Sequence, residues 1–216
     1  VASLVTAAPR TIRVAIVDDH PVLREGTAAL IGQEPDIEVV ATPATIAELR
    51  TLLAGDGAPD VVIQDIRMGP ESGLTVLGEL AAQATVGPVP AVIVWTAYDY
   101  PQYAAYAYRA GAAGFVVKTA PTAELVRAIR QVADGALFFA SRPDLRSRPL
   151  TPREREVLAA TVGGHSNDEI AASLGITTRT VEAHLTRLYE RFDLHSRTEL
   201  VARAVTEGWL DVPAEA

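Results

Sequence analysis

Four charged positions and one hydroxyl follow short apolar runs in this chain. Asp18 and Asp19 follow Ile12–Val17, Asp65 follows Val61–Ile63 by one residue, Thr96 follows Ala91–Trp95, and Lys118 follows Gly114–Val117. If the runs are parallel strands, all five groups lie at carboxyl ends, the edge where open α/β sheets bind ligands. Three carboxylates brought together there repel one another unless a hard cation separates them, and oxygen donors with retained waters suit Mg²⁺. With a hydroxyl and an ammonium facing the same spot, the constellation can receive a phosphoryl group on one carboxylate while the cation and Lys118 neutralise its developing charge. Each residue alone has a plainer reading: Asp-Asp as a turn with a helix cap, Asp65 as a turn residue, Lys118 as a solvated strand end, and Thr96 as a cap. The repeated placement after successive strand-like runs favours the shared site. Eighteen of the 19 basic residues are Arg, so the single Lys118 marks a position that needs a compact ammonium rather than a planar fork.

The elements that must position these groups are visible as five apolar runs of strand length, the four above and Ile37–Ala41. Between them lie segments with helix-like apolar spacing, such as Val22, Leu23, Ala29 and Leu30, and then Ile46, Leu49, Leu52 and Leu53. Alternating strands and helices predict a doubly wound five-stranded parallel sheet with helices on both faces. A last helix, about 121–133, closes the unit at Asp134-Gly135, giving a domain over residues 10–135. Residues 136–149 read as a linker, with SRPDLRSRP at 141–149 rich in Arg, Pro and Ser. A second domain, 150–216, is all-α. Thr151-Pro152-Arg153-Glu154 and Ser166-Asn167-Asp168-Glu169 are capping boxes. Gly175 then supplies a left-handed turn, and Thr177 or Thr178 caps a third helix to about Phe192, followed by a fourth from about Ser196 to Glu207.

Composition narrows the chemistry. The 216 residues are 49% hydrophobic and 21% charged, an ordinary globular balance, and contain no cysteine, which excludes disulfides, thiolate metal sites and a cysteine nucleophile. The first twelve residues lack the pattern of a signal peptide and Arg109 interrupts the longest later apolar stretch, so a soluble cytoplasmic protein without membrane association is expected. The net charge of −8 opposes indiscriminate binding to polyanions, but it is unevenly spread: residues 142–203 hold 10 basic against 9 acidic side chains. His20 reads as the start of the first helix, and His165 and His195 as loop residues without metal-ligand spacing. A P-loop is absent, and no Asp-x-Asp motif of an aspartate-nucleophile phosphohydrolase occurs.

The segments VDDH at 17–20, DIRM at 65–68, WTA at 95–97 and GAAGFVVK at 111–118 resemble the receiver domain of two-component response regulators. The resemblance implies a flavodoxin-like fold in which Asp65 is the phosphoacceptor and Asp18, Asp19, Asp65 and the backbone carbonyl of Arg67 hold Mg²⁺. It further implies that Lys118 pairs with the acyl phosphate and that Thr96 and Phe115 form a switch pair. Three departures stand out: Met68-Gly69-Pro70 replaces the usual Met-Pro-Gly order, Gln64 replaces an apolar residue, and Phe115 stands where Tyr is frequent. Residues 150–205 resemble the LuxR-type helix-turn-helix, and the two resemblances together identify a NarL/FixJ-type response regulator. The implied partners are a sensor histidine kinase, double-stranded promoter DNA, a second copy of the chain when active, and RNA polymerase. Catalysis is confined to self-phosphorylation and self-dephosphorylation. The alternative is a regulator of the same fold that answers to a ligand or partner instead of phosphate.

The third helix of this second domain supports that reading independently. Val181, Leu185, Leu188 and Phe192 form one apolar stripe, while Arg179, Glu182, Ala183, Thr186, Arg187 and Glu190 form a polar face that suits an ordinary surface helix as well as a major groove; the short Gly turn and the capped helix before it favour the groove. The family places Glu182, Ala183 and Thr186 toward bases, with Thr178, Thr180, His184 and Arg187 toward phosphates or groove edges. Arg153, Arg179, Arg191 and Arg197 are further candidates for backbone contacts, Arg153 and Arg191 also for helix ion pairs. Leu200, Val201, Ala204 and Val205 offer either a dimer face or monomer packing.

Overall fold

The computed structural model describes residues 10–55, 57–69, 71–83, 89–140, 143 and 149–212. The residues on which a leader would depend, 1–9, and most of the expected linker tract, 141–142 and 144–148, lie outside that set, as does Pro70. By compactness the chain forms two units, one within 1–99 and 107–143 and the other within 100–106 and 144–216.

Strands β1 (Ile12–Val17), β2 (Ile37–Ala41), β3 (Val61–Gln64), β6 (Ala91–Thr96), β7 (Gly114–Val117) and β8 (Phe138–Phe139) make one sheet in the order β2-β1-β3-β6-β7-β8. Every pairing in it is parallel. A separate two-residue hairpin, β4 (Arg67–Met68) with β5 (Glu71–Ser72), turns at Gly69, whose φ of +62° requires the freedom of glycine. The intervening helices are α1 (Pro21–Ile31), α2 (Ile46–Leu53), α3 (Thr75–Gln83), α4 (Pro101–Arg109) and α5 (Thr122–Ala133). β3 is buried throughout and β1 everywhere but Arg13, as parallel strands covered on both faces must nearly be. One face of the sheet packs Ile16, Ile63, Ile93, Trp95 and Val116 against Leu125, Val126, Ile129 and Val132 of α5.

Two local expectations change. The sheet has six strands, not five: Phe138, inside the segment read as linker, is buried beneath the Arg127 guanidinium, and Phe139 meets Tyr108 edge to face. Two aromatic residues beside an open strand edge gain burial and backbone pairing at once, which a Pro/Arg-rich surrounding composition conceals. The apolar residues that mark α1 do not enter the core. Thr27 and Ile31 are buried there, whereas Val22 is 84% and Leu30 50% exposed.

The second unit is built as its punctuation predicts. Helices α6 (Pro152–Val162) and α7 (Asn167–Leu174) both start in complete capping boxes, at Thr151/Glu154 and Ser166/Glu169. Gly175 takes φ +64°, and Thr177 caps α8 (Thr178–Phe192) by accepting from the Thr180 amide. Asp193 ends α8 in the left-handed region at φ 52°, and α9 (Arg197–Thr206) follows. Val157, Leu158, Ile170, Val181, Leu185, Leu188 and Leu200 form its core, to which Trp209 adds a ring stacked on Phe192 at 3.9 Å.

Removing either capping hydroxyl, by Thr151→Ala or Ser166→Ala, should lower the stability of the second unit by about 1 kcal/mol, read as a shift of its urea transition. In the first unit, Arg130 grips Asp36 at 2.6 and 2.8 Å and holds that carboxyl below its ordinary range. A depressed folded pKa adds stability that is complete above the unfolded value of about 4 and is lost as pH falls through the folded value. Asp36→Asn should therefore flatten the acid limb of the first unit's urea midpoint against pH.

Candidate functional site

Register decides which groups meet at the carboxyl edge. Val17 lies opposite Gln64 and Thr96 opposite Val117, so Asp18, Asp65, Thr96 and Lys118 emerge side by side at the point where strand order reverses. The turnings are fixed by backbone bonds, from the Asp65 amide to Val17 O at 2.9 Å and from the Lys118 amide to Thr96 O at 2.6 Å. The Lys118 ammonium then reaches Asp18 Oδ2 at 2.6 Å and Asp65 Oδ2 at 2.7 Å. Each aspartate turns its other oxygen to a main-chain donor: Asp18 Oδ1 accepts from His20 N at 2.8 Å, and Asp65 Oδ1 from Ile66 N at 2.7 Å. All three side chains are at most 9% exposed. The Trp95 ring lies 4.9 Å from the ammonium. Burial pushes the Asp65 carboxyl above its ordinary value, opposed by the Lys118 ammonium.

Asp19 completes the acidic group. Its Oδ2 accepts from Gly69 N at 3.0 Å, which ties the hairpin turn to the edge, while its Oδ1 is buried and accepts no hydrogen bond among the described residues. His20 Nδ1 lies 2.8 Å from that oxygen without hydrogen-bond alignment, and His20 serves as the N-cap residue ahead of Pro21. Ligand atoms of Asp18, Asp19, His20 and Asp65 all fall within 4.8 Å of one another. Three carboxylates against one ammonium leave excess negative charge, and a buried carboxylate oxygen that accepts no hydrogen bond suits a cation; this donor set fits a hard divalent ion. Thr96 is fully buried and its hydroxyl accepts from the Tyr98 amide at 3.3 Å. Phe115 is 6% exposed. Arg67 stands at the start of β4 with its guanidinium donating to Tyr98 Oη at 2.8 Å.

In the second unit, α8 buries Val181, Leu185 and Leu188 and leaves Arg179, Thr180, Glu182, Ala183, Thr186 and Arg187 exposed. His184 and Thr178 are half-buried, and two of the expected contact hydroxyls already have partners: Thr178 donates to Asp168 at 2.7 Å, and Thr180 pairs with Thr177 at 2.8 Å. The arginines divide sharply. Arg153 bonds Glu156 and the carbonyl of Leu174, Arg191 the carbonyl of Pro149, and Arg197 Asn167 and the carbonyl of His165. These three brace helix ends. Leu200 and Ala204 of α9 go to the monomer core, Val201 is half-buried and Val205 is 56% exposed.

Gln64, legible in the sequence only as a departure from the family pattern, and Trp95, which has no chemical role there, both touch the acidic edge. A carboxamide inside a fully apolar strand was the available signal for the first. Among the described residues no helix is long and apolar enough to cross a membrane.

Residues 14–130 match the family model for the response regulator receiver domain, and residues 148–204 that for bacterial regulatory proteins of the luxR family. The chain is 37% identical over 205 residues to the transcriptional regulatory protein UhpA of Escherichia coli K12, covering 92% of this chain and all of that protein. It is 32% identical over 220 residues to the oxygen regulatory protein NreC of Staphylococcus carnosus, covering 93% of this chain and all of NreC. Among solved structures it resembles the response regulator ChrA of a heme-sensing two-component system, at 30% identity and a TM-score of 0.51 over 92% of this chain and 98% of that one. RcsB of Salmonella typhimurium shares the fold at a TM-score of 0.63 and 22% identity over 90% of this chain and all of RcsB. With a receiver match across more than half its length and a luxR-type match after it, the chain belongs to the two-component response regulators of the LuxR family, which are transcriptional regulators.

Proposed function

We propose that this response regulator is switched by phosphorylation of Asp65 by a sensor histidine kinase in the cytoplasm, within a receiver spanning residues 10–135. A linker over 136–149 then joins it to a DNA-binding domain over 150–216. The observation that carries the reading is the Lys118 ammonium held between Asp18 Oδ2 and Asp65 Oδ2 beside an Asp19 oxygen that accepts no hydrogen bond among the described residues. Asp18, Asp19, Asp65 and the Arg67 carbonyl would hold Mg²⁺, which when bound offsets charge on the phosphoryl oxygens. A carboxylate oxygen of Asp65 attacks phosphorus as the bond to the donor's histidine nitrogen breaks, and the nitrogen leaves with its electron pair. Lys118, at the Asp65 Oδ2, is placed to neutralise the growing negative charge while the Ile66 amide holds Oδ1. Thr96 gives up its contact with the Tyr98 amide to reach the new phosphoryl group, and Phe115 follows, so the modification biases a pre-existing active state. Water returns the carboxylate by hydrolysis. No other chemistry is needed.

In the active state a homodimer reads two half-sites of promoter DNA, with Val201 and Val205 the apolar positions of α9 available for pairing. Glu182, Ala183 and Thr186 meet bases and Arg179 and Arg187 meet phosphates, with Thr178, Thr180 and His184 at the groove edge; RNA polymerase is the further partner at the promoter. What supports this sorting is that Arg179 and Arg187 are exposed and have no ion pair among the described residues, while Arg153, Arg191 and Arg197 brace the fold.

Incubation with Mg²⁺ and acetyl phosphate should add one phosphoryl group, read by intact mass, and Asp65→Asn should add none. An adduct that persists in Asp65→Asn would refute the acceptor. Lys118→Met should slow adduct formation by about a hundredfold, the scale on which a charge-stabilising donor acts. On DNA, Arg187→Ala should weaken binding on all sequences and lower the slope of log K against log salt by about 1. Arg153→Ala should instead leave that slope intact and lower the unfolding midpoint, both read by fluorescence anisotropy and urea titration.

A further inference from the structure

The last residue of β3 carries a carboxamide into the core. Gln64 is 1% exposed, and the strand residues before it, Val61, Val62 and Ile63, are completely buried. Its Nε2 donates to the backbone carbonyl of Asp65 at 2.8 Å, while its Oε1 is buried and has no hydrogen-bond partner among the described residues. A buried amide that satisfies only one end costs stability, and an apolar side chain of the same size would avoid that cost. Natural chains keep such local violations mainly where function needs them.

The geometry shows what the satisfied end does. The peptide between Asp65 and Ile66 is tied on both sides: its carbonyl to Gln64 Nε2, and its N–H to Asp65 Oδ1 at 2.7 Å. Its plane is therefore fixed, and through the second bond so is the rotation of the Asp65 carboxylate. Oδ2 is left facing the Lys118 ammonium at 2.7 Å. Gly73 makes room for this tie, because a Cβ there would stand 1.8 Å from the Asp65 carbonyl oxygen and 2.6 Å from Gln64 Nε2. The Gly73 amide also donates to the Ile66 carbonyl at 2.7 Å, closing the segment after the hairpin onto the same stretch. We propose that Gln64 is a positioning residue for phosphoryl transfer: it acts through the Asp65 peptide to hold the acceptor carboxylate in the rotation that presents Oδ2. The proposal rests on Asp65 being the acceptor.

Gln64→Met in the full chain tests it, because methionine keeps the length and removes both hydrogen-bonding ends; Gln64→Leu is measured beside it in case the thioether packs poorly. Adduct formation is followed by intact mass across acetyl phosphate and Mg²⁺ concentrations, with the melting temperature recorded for each variant. The maximal rate should fall about tenfold while both half-saturating concentrations stay within about twofold and the melting temperature holds or rises. That split distinguishes orientation of the acceptor from damage to the fold. A maximal rate within about twofold of the unsubstituted chain in either stable variant overturns the proposal. So does a rate loss that tracks a falling melting temperature in both variants, or one confined to the half-saturating concentrations. An unsubstituted chain that takes no adduct overturns the acceptor assignment and this inference with it, whereas a normal adduct with indifferent variants removes only Gln64.

Discussion

Two carboxylates that end adjacent strands and are closed off from water cannot both stay ionised without positive charge between them, and the first unit's carboxyl edge is organised around that constraint. Asp18 and Asp65 solve it the same way. Each gives Oδ1 to a main-chain N–H and Oδ2 to Lys118, so one ammonium is shared and the two oxygens cannot rotate apart. The position of that ammonium depends in turn on β7 pairing with β6, and the pairing depends on strands apolar enough to be buried on both faces. An Arg in place of Lys118 would bring a wider, planar fork to a gap sized for a point charge. The chain's preference for Arg everywhere else makes the exception legible as a geometric demand.

The second unit uses charge differently. Its interior is small, and guanidinium groups extend it by gripping carbonyls: Arg153 at the end of α7, Arg203 at the end of α8, and Arg155 at Leu210 and Val212 in the turns after α9. Helix carbonyls left without partners are natural targets for such donors. Among the described residues, most of the positive charge in this unit is thus committed to structure. The exposed face of α8 is left with few cations and with Glu182 and Glu190 among them, so the surface is close to neutral. A protein of net charge −8 with such a face has little electrostatic pull toward DNA, which favours recognition by a paired unit over a single one.

What sequence reasoning could read depended on how locally each feature is encoded. The five main strands, both capping boxes and the Gly175 turn are written in contiguous residues whose chemistry leaves few alternatives, and the structure contains all of them. The acidic edge is legible because every member lies at or within two residues of the end of a strand. β8 was not, since two aromatics in a linker-like context become a strand only when an unpaired edge is already in place. The exposed residues of α1 show the complementary limit: spacing reveals that a segment is helical, but which face turns inward is set by the sheet it lies on. Arg197 looked like a free cation because its partners, Asn167 and the His165 carbonyl, are 30 or more residues away. The role of Gln64 needed the through-space meeting with Gly73, which no sequence window contains.

The chain has two tryptophans, and they fall one to each unit: Trp95 on the acidic edge with Lys118 at its ring, and Trp209 stacked on Phe192 beside α9. Indole emission responds to a nearby cation and to ring stacking in different ways. Each unit thus carries its own optical reporter, one poised at the ammonium and the other at the packing of the helical bundle. With Trp209 replaced by Phe, indole emission would come from the first unit alone, and with Trp95 replaced, from the helical bundle alone. Events at the two ends of the chain can in this way be timed separately without attaching a dye.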